Sequence, residues 1–143
     1  MSGNNNYDAV VIGFGKGAKT LAGALAAAGK PVAVVEQSSG MYGGTCINVA
    51  CIPTKSLVKS AALSAELGGS FEERAQRYAE AVAEKDRVVS MLREKNYRKL
   101  EDNPAVRVVD GKASFVDAQR IRIERDGASP VIKAESMSVN TGA

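Results

Sequence analysis

Two cysteines are all the thiols this 143-residue chain has, and they stand five positions apart in "YGGTCINVACIPTKSL", Tyr42 to Leu57. In a regular α-helix that spacing separates the Cα atoms by about 8.6 Å, whereas a disulfide spans at most about 7 Å. A bond between Cys46 and Cys51 therefore requires a distorted turn. Pro53 points to the same irregularity, because it has no N–H to give to the Val49 carbonyl. A strained or exposed disulfide is easily reduced, which suits catalysis better than stapling, and closing so short a loop adds little stability. Two other readings stay open at this level: a pair of buried structural thiols, or half of a metal site. The second is disfavoured by the CxxxxC spacing and by the lack of any further Cys or His. With no histidine, the chain holds no Ser-His-Asp triad, Cys-His pair or His-ligated metal.

Such a pair needs elements to position it, and the residues before it form a recognisable set. "YDAVVIGFGKGAKTLAGALAAAGKPVAVVE" reads as a βαβ unit. Ala9–Ile12 is a short continuous apolar run, as in a strand buried on both faces of a parallel sheet. A glycine-rich turn over Gly13–Lys19 and a helix over Thr20–Ala28 follow, the helix closed by Gly29 and Pro31. Val32–Glu36 is the second strand. Gly13-x-Gly15-x-x-Ala18 thus lies between strand and helix, and Glu36 ends the next strand, 23 positions after Gly13. This order is the one a dinucleotide site requires. Gly13 permits the tight turn, Gly15 lets the backbone approach a pyrophosphate, and Ala18, with Gly17 beside it, lets the helix sit close to the sheet. The helix N-terminus offers unpaired N–H groups and partial positive charge. Glu36 can accept hydrogen bonds from ribose hydroxyls. The turn alone does not separate FAD from NAD.

Beyond the thiols, a helix is expected over Ser56–Leu67 and another over about Phe71–Asn96. In the second, Phe71, Ala75, Tyr78, Val82, Val89 and Leu92 form an apolar stripe expected to pack in the core. After Asn103–Pro104 the pattern changes to short strands: "AVRVVD", "KASFVD", "RIRIER", "PVIKAE" and "SMSVNTGA". "RIRIE" alternates strictly, as a half-exposed antiparallel strand would. The fold class is α/β: a Rossmann-like βαβ unit with long helices and an antiparallel β-meander. A net charge of +3, with the basic residues of 93–99 interleaved with Glu94, indicates a solvated helix face and no nucleic-acid partner. No apolar run is long enough for a membrane span, and "MSGNNNYD" lacks a basic leader, so a cytoplasmic location is expected. In that compartment close thiols are more often catalytic, redox-sensing or metal-binding than a structural staple.

"GGTCINVACIPTK" resembles the active-site signature of the FAD-dependent pyridine nucleotide–disulfide oxidoreductases, which include dihydrolipoamide dehydrogenase, glutathione reductase and mercuric reductase. The resemblance continues through "VVIGFGKGAKTLA", Glu36, "GKASF" and the terminal "NTGA". Details such as "GFGK" and "REKNYRKLEDNP" look most like the branch named for resistance to reactive chlorine species. The resemblance implies FAD as cofactor. Gly13, Gly15, Gly17 and Ala18 would hold its pyrophosphate, Glu36 its adenosine ribose, and Gly44 and Thr45 would approach phosphates and flavin. Cys46 would be the interchange thiol that meets the acceptor. Cys51 would face the flavin and form the charge-transfer complex, with Lys55 placing positive charge beside the ring. Ala113 would contact the adenine, and Thr141 and Gly142 would close over the cofactor. Electrons would pass from NAD(P)H through FAD to the pair, then to a disulfide, metal ion or oxidant.

A thiol at a helix start near Lys55 should also have a depressed pKa. Ala50 stands where the family usually has glycine, a methyl that would crowd a turn of positive φ. Family members are roughly three times longer. Residues 1–143 would therefore be the N-terminal part of the FAD-binding domain, without the NAD(P) and dimerisation domains, and the full-length family is expected to be homodimeric. The alternative is a non-catalytic nucleotide-binding or thiol redox-sensing module.

Overall fold

The computed structural model describes residues 5–142, so the reading of the first residues of "MSGNNNYD" and of the final Ala143 lies outside the described residues. One six-stranded sheet organises the chain, in the order β3-β2-β1-β6-β5-β4. β1 (Asn6–Ile12) and β2 (Val32–Glu36) pair in parallel, joined by α1 (Lys16–Ala27). Val10, Val11 and Val32 to Val35 are buried, which accounts for two strands without polar alternation. α1 begins four residues earlier than the sequence suggested, so Gly17 and Ala18 belong to its first turn and not to a loop. Ala18, Ala22 and Ala26 repeat at helical spacing and are its buried residues. Small side chains there let the helix pack closely on the sheet.

β3 (Val106–Asp110) joins the parallel part beside β2, with Glu36 opposite Asp110. β4 (Lys112–Phe115), β5 (Arg120–Glu124) and β6 (Val131–Val139) form the antiparallel meander. β5 alternates exposed and buried as expected. Two of the expected strands merge into the nine residues of β6, which pairs antiparallel with β5 and parallel with β1. A strand read as meander thus also serves the parallel sheet. Ile121, Ile123, Ile132 and Ala134 form one buried cluster with Val10, Ala33 and Val35. On the opposite face, Ala9, Val11, Val32 and Val34 cluster with α1, Phe14, Tyr42 and Leu100.

After a single 3₁₀ turn (Ser39–Met41) come α2 (Thr45–Asn48), α3 (Cys51–Leu67) and α4 (Phe71–Glu101). α4 starts with a reciprocal cap. Ser70 Oγ accepts from the Glu73 N–H, and Glu73 Oε2 accepts from the Ser70 N–H at 2.7 Å. Arg77 ties α4 back to α3, donating to Ser64 Oγ at 2.9 Å and to the Gly68 carbonyl. The expected core stripe on α4 is corrected. Val89 is buried, Val82 and Leu92 are half-buried, and Phe71, Ala75 and Tyr78 are exposed. The first half of α4 lies against α3, which itself buries no residue fully, so helical periodicity there does not mark the sheet core. Only the second half of α4 reaches that core, through Val89 and Leu100.

Candidate active site

The turn after β1 shows why glycine is required. Gly13 has φ +105°, donates its N–H to the Val35 carbonyl at 2.7 Å, and lies so near the Asn140 carbonyl that any Cβ would collide with it. The Asn140 N–H in turn donates to the Ile12 carbonyl at 2.7 Å, locking the end of β6 to the end of β1. α1 opens at Gly15 with no side-chain cap and no acid in its first turn. Its free N–H groups and the positive end of its dipole face a cleft of about 380 Å³. Gly15, Lys16, Gly17, Glu36, Gly44, Thr45, Cys46 and Asn140 to Gly142 line that cleft. A second hollow of about 160 Å³ shares Glu36 and Thr141 with it and adds Gly13 and Ala113. Both sit beyond the carboxyl ends of the parallel strands, the place where open α/β sheets bind nucleotides.

The thiols occupy a broken helix. α2 ends at Asn48, Val49 and Ala50 leave helical geometry (φ −127° and −112°), and α3 starts at Cys51. This break brings Cys46 and Cys51 into hydrogen-bonding contact, although both are free thiols and exposed. Pro53 falls in the first turn of α3, where no N–H is needed. Ala50 has negative φ, so its methyl is accommodated where glycine was expected. Gly44 has φ +81°, and a Cβ on it would sit 2.6 Å from the Gly15 Cα. The cysteine-bearing turn therefore rests backbone to backbone on the glycine-rich turn after β1.

The electrostatics single out three groups around the turn. The Cys46 thiol is pushed up, first by its hydrogen bond with Cys51 and then by desolvation, and Lys55 opposes the shift only weakly. The bond to Cys51 favours the protonated form of Cys46, and this outweighs the opposing lysine. Lys19 is pushed down by burial and by Lys99, while Cys46 pulls it back up; its ammonium donates to Asn96 Oδ1. The Tyr42 phenol is pushed well above its ordinary value, chiefly by burial and then by its hydrogen bond to Asp110.

Of the residues singled out in the sequence, Gly15, Gly17, Glu36, Gly44, Thr45, Cys46, Thr141 and Gly142 come together around the larger cleft, and Gly13 and Ala113 around the smaller. Ala18 is buried under the turn. Cys51 and Lys55, one turn apart on α3, do not line either hollow. Sequence reasoning missed Phe14, Lys16, Met41 and Asn140 on the cleft wall. Asn140 had a signal, its place directly before Thr141–Gly142.

A family model described as pyridine nucleotide-disulphide oxidoreductase matches residues 7–143, and the chain belongs to that family of FAD-dependent oxidoreductases. The probable pyridine nucleotide-disulfide oxidoreductase RclA of Escherichia coli (strain K12) is 45% identical over 139 residues, 97% of this chain and 29% of that protein. A mercuric reductase of Streptomyces lividans is 32% identical over 151 residues, covering 100% of this chain and 31% of its own length. The solved structure described as the Cu(II) complex of HOCl-induced flavoprotein disulfide reductase RclA from Escherichia coli is similar with a TM-score of 0.83. It is 44% identical, covering 96% of this chain and 29% of that one. The chain thus spans less than a third of the length of these relatives.

Proposed function

We propose that this chain is the FAD-binding, redox-active-thiol part of an NAD(P)H-dependent flavoprotein oxidoreductase, holding the dinucleotide and carrying electrons onward through Cys46 and Cys51. One observation carries the reading: two free thiols in contact at a helix break, seated by Gly44 on the turn of Gly13 and Gly15. The residues present fit the cofactor. The uncapped start of α1 suits a pyrophosphate. Glu36, with one oxygen already accepting the Ser38 N–H at 3.1 Å, has its other free for ribose hydroxyls. Ala113 and Thr141 line the smaller hollow, which suits an adenine.

When bound, the flavin supplies the exchange of a hydride for a pair of electrons. Cys51 and Lys55 would take the ring end, Lys55 holding positive charge near it. Cys46 would be the outward thiol. With a disulfide acceptor, the Cys46 thiolate bonds to one acceptor sulfur and expels the other as a thiolate. Cys51 then attacks the Cys46 sulfur, expels the second thiolate, and leaves the Cys46–Cys51 disulfide. Similarity to a protein solved with Cu(II) favours a metal-ion acceptor as well. Two Cu(II) ions would each take one electron as the pair closes and releases two protons. Homodimerisation and cytoplasmic residence are further proposals; among the described residues no helix is long and apolar enough to cross a membrane.

FAD titration of the purified chain tests the reading. Saturable quenching of flavin fluorescence, lost when Gly13 is replaced by valine, is the expected result. A chain that binds no flavin but still closes its disulfide would instead be a thiol-sensing module.

A further inference from the structure

α2 is a single turn without a side-chain cap, cut from α3 at Val49–Ala50. A helix that short does not hold itself, so the position of Cys46 depends on ties from outside. One of them comes from α4, and the others from the turn before α2. Arg93 Nε donates to Asn48 Oδ1 at 2.8 Å, and Asn48 Nδ2 donates to the Tyr42 carbonyl at 3.0 Å and the Gly44 carbonyl at 2.9 Å. Three and four residues on, Asn96 receives the Lys19 ammonium and Tyr97 stacks on Tyr42 with ring centroids 4.8 Å apart.

The Arg93 bond has a specific consequence. A carboxamide rotated by half a turn would aim its oxygen at two carbonyls, which also only accept. Arg93 is donor only, so it demands the oxygen on its own side and leaves the amide hydrogens for Tyr42 and Gly44. Those are the residues of the turn that rests on Gly15. The orientation of Asn48 therefore sets how α2 sits against that turn.

We propose that Arg93 is a positioning residue for the Cys46–Cys51 pair, acting through Asn48. The proposal rests on the reading of the two thiols as a redox pair. Its test is the equilibrium of the purified chain with glutathione at a series of thiol-to-disulfide ratios, trapped with acid and counted by mass spectrometry. Replacing Arg93 with alanine is expected to lower the disulfide-to-dithiol ratio about tenfold at a given glutathione poise, which corresponds to about 30 mV towards a more oxidising pair. Asn48→Ala should do the same, and the double variant should go no further, because both remove one device. Arg93→Lys, which keeps a cationic donor, should stay close to the parent and covers the case in which the alanine variant folds poorly. Single variants within twofold of the parent, or two shifts that add in the double variant, overturn the proposal. A parent chain that forms no Cys46–Cys51 disulfide at any ratio overturns the redox reading and this proposal with it. A parent that closes normally while the variants match it overturns only the role of Arg93.

Discussion

Replacing Gly44 with alanine tests the seat between the two turns. The new Cβ would lie 2.6 Å from the Gly15 Cα and 3.5 Å from its nitrogen, in a residue held at φ +81°. Carbon atoms in ordinary contact are about 3.5–4.0 Å apart, so one backbone must retreat by about 1 Å. Backbone strain at positive φ costs of order 1–3 kcal/mol, and neither neighbour is a flexible side-chain end that could yield. The expected loss is therefore about 2–4 kcal/mol of stability, with flavin affinity falling by roughly ten- to a hundredfold because displacements of this size are costly in a positioned site. Urea unfolding and flavin fluorescence titration measure the two effects. Gly23→Ala is the matched control. That glycine lies inside α1 with nothing within 4 Å of the added atom, so it should gain about 0.5–1 kcal/mol from helix propensity. A Gly44→Ala variant as stable as the parent and equally able to bind FAD would refute the close approach.

Two further outcomes follow from the electrostatics. Since the hydrogen bond with Cys51 is the main cause that pushes the Cys46 thiol up, Cys51→Ala should move the iodoacetamide alkylation profile of Cys46 to lower pH; a profile that stays put or moves up contradicts that cause. The folded state raises the Tyr42 phenol, so this group's stabilisation is complete below the unfolded value of about 10 and is lost as pH climbs through the folded value. In urea unfolding, Tyr42→Phe should be less stable than the parent by about 1–2 kcal/mol at pH 8, from loss of the bond to Asp110. That gap should narrow above about pH 10, and one that widens instead would contradict the assignment.

Much of the fold was legible because it is encoded locally. The valine-rich runs around Gly13 to Ala18 carry parallel strands, a turn and a helix within 31 residues, and Glu36 follows from the same unit. The helix break was legible too, from cysteine spacing and Pro53. Four things were not. The parallel pairing of β6 with β1 joins Asn6 to Lys133, a contact with no local signal. The α4 stripe misled because periodicity reports an apolar face and not what covers it. The upward push on the Cys46 thiol was hidden because its main cause is a hydrogen bond that the broken turn creates, which Lys55, visible by spacing, opposes only weakly. Arg93 and Asn48 escaped for the same reason: a hydrogen bond across 45 residues leaves no pattern in the sequence.

The most direct measurement is an anaerobic dithionite titration of the FAD-loaded chain, counting electrons to full reduction. Two electrons for the flavin and two for the Cys46–Cys51 disulfide give a predicted uptake of about four per chain, falling to about two when Cys51 is serine. An uptake of two in the parent chain, unchanged by that substitution, would contradict the pairing of these thiols with the nucleotide site.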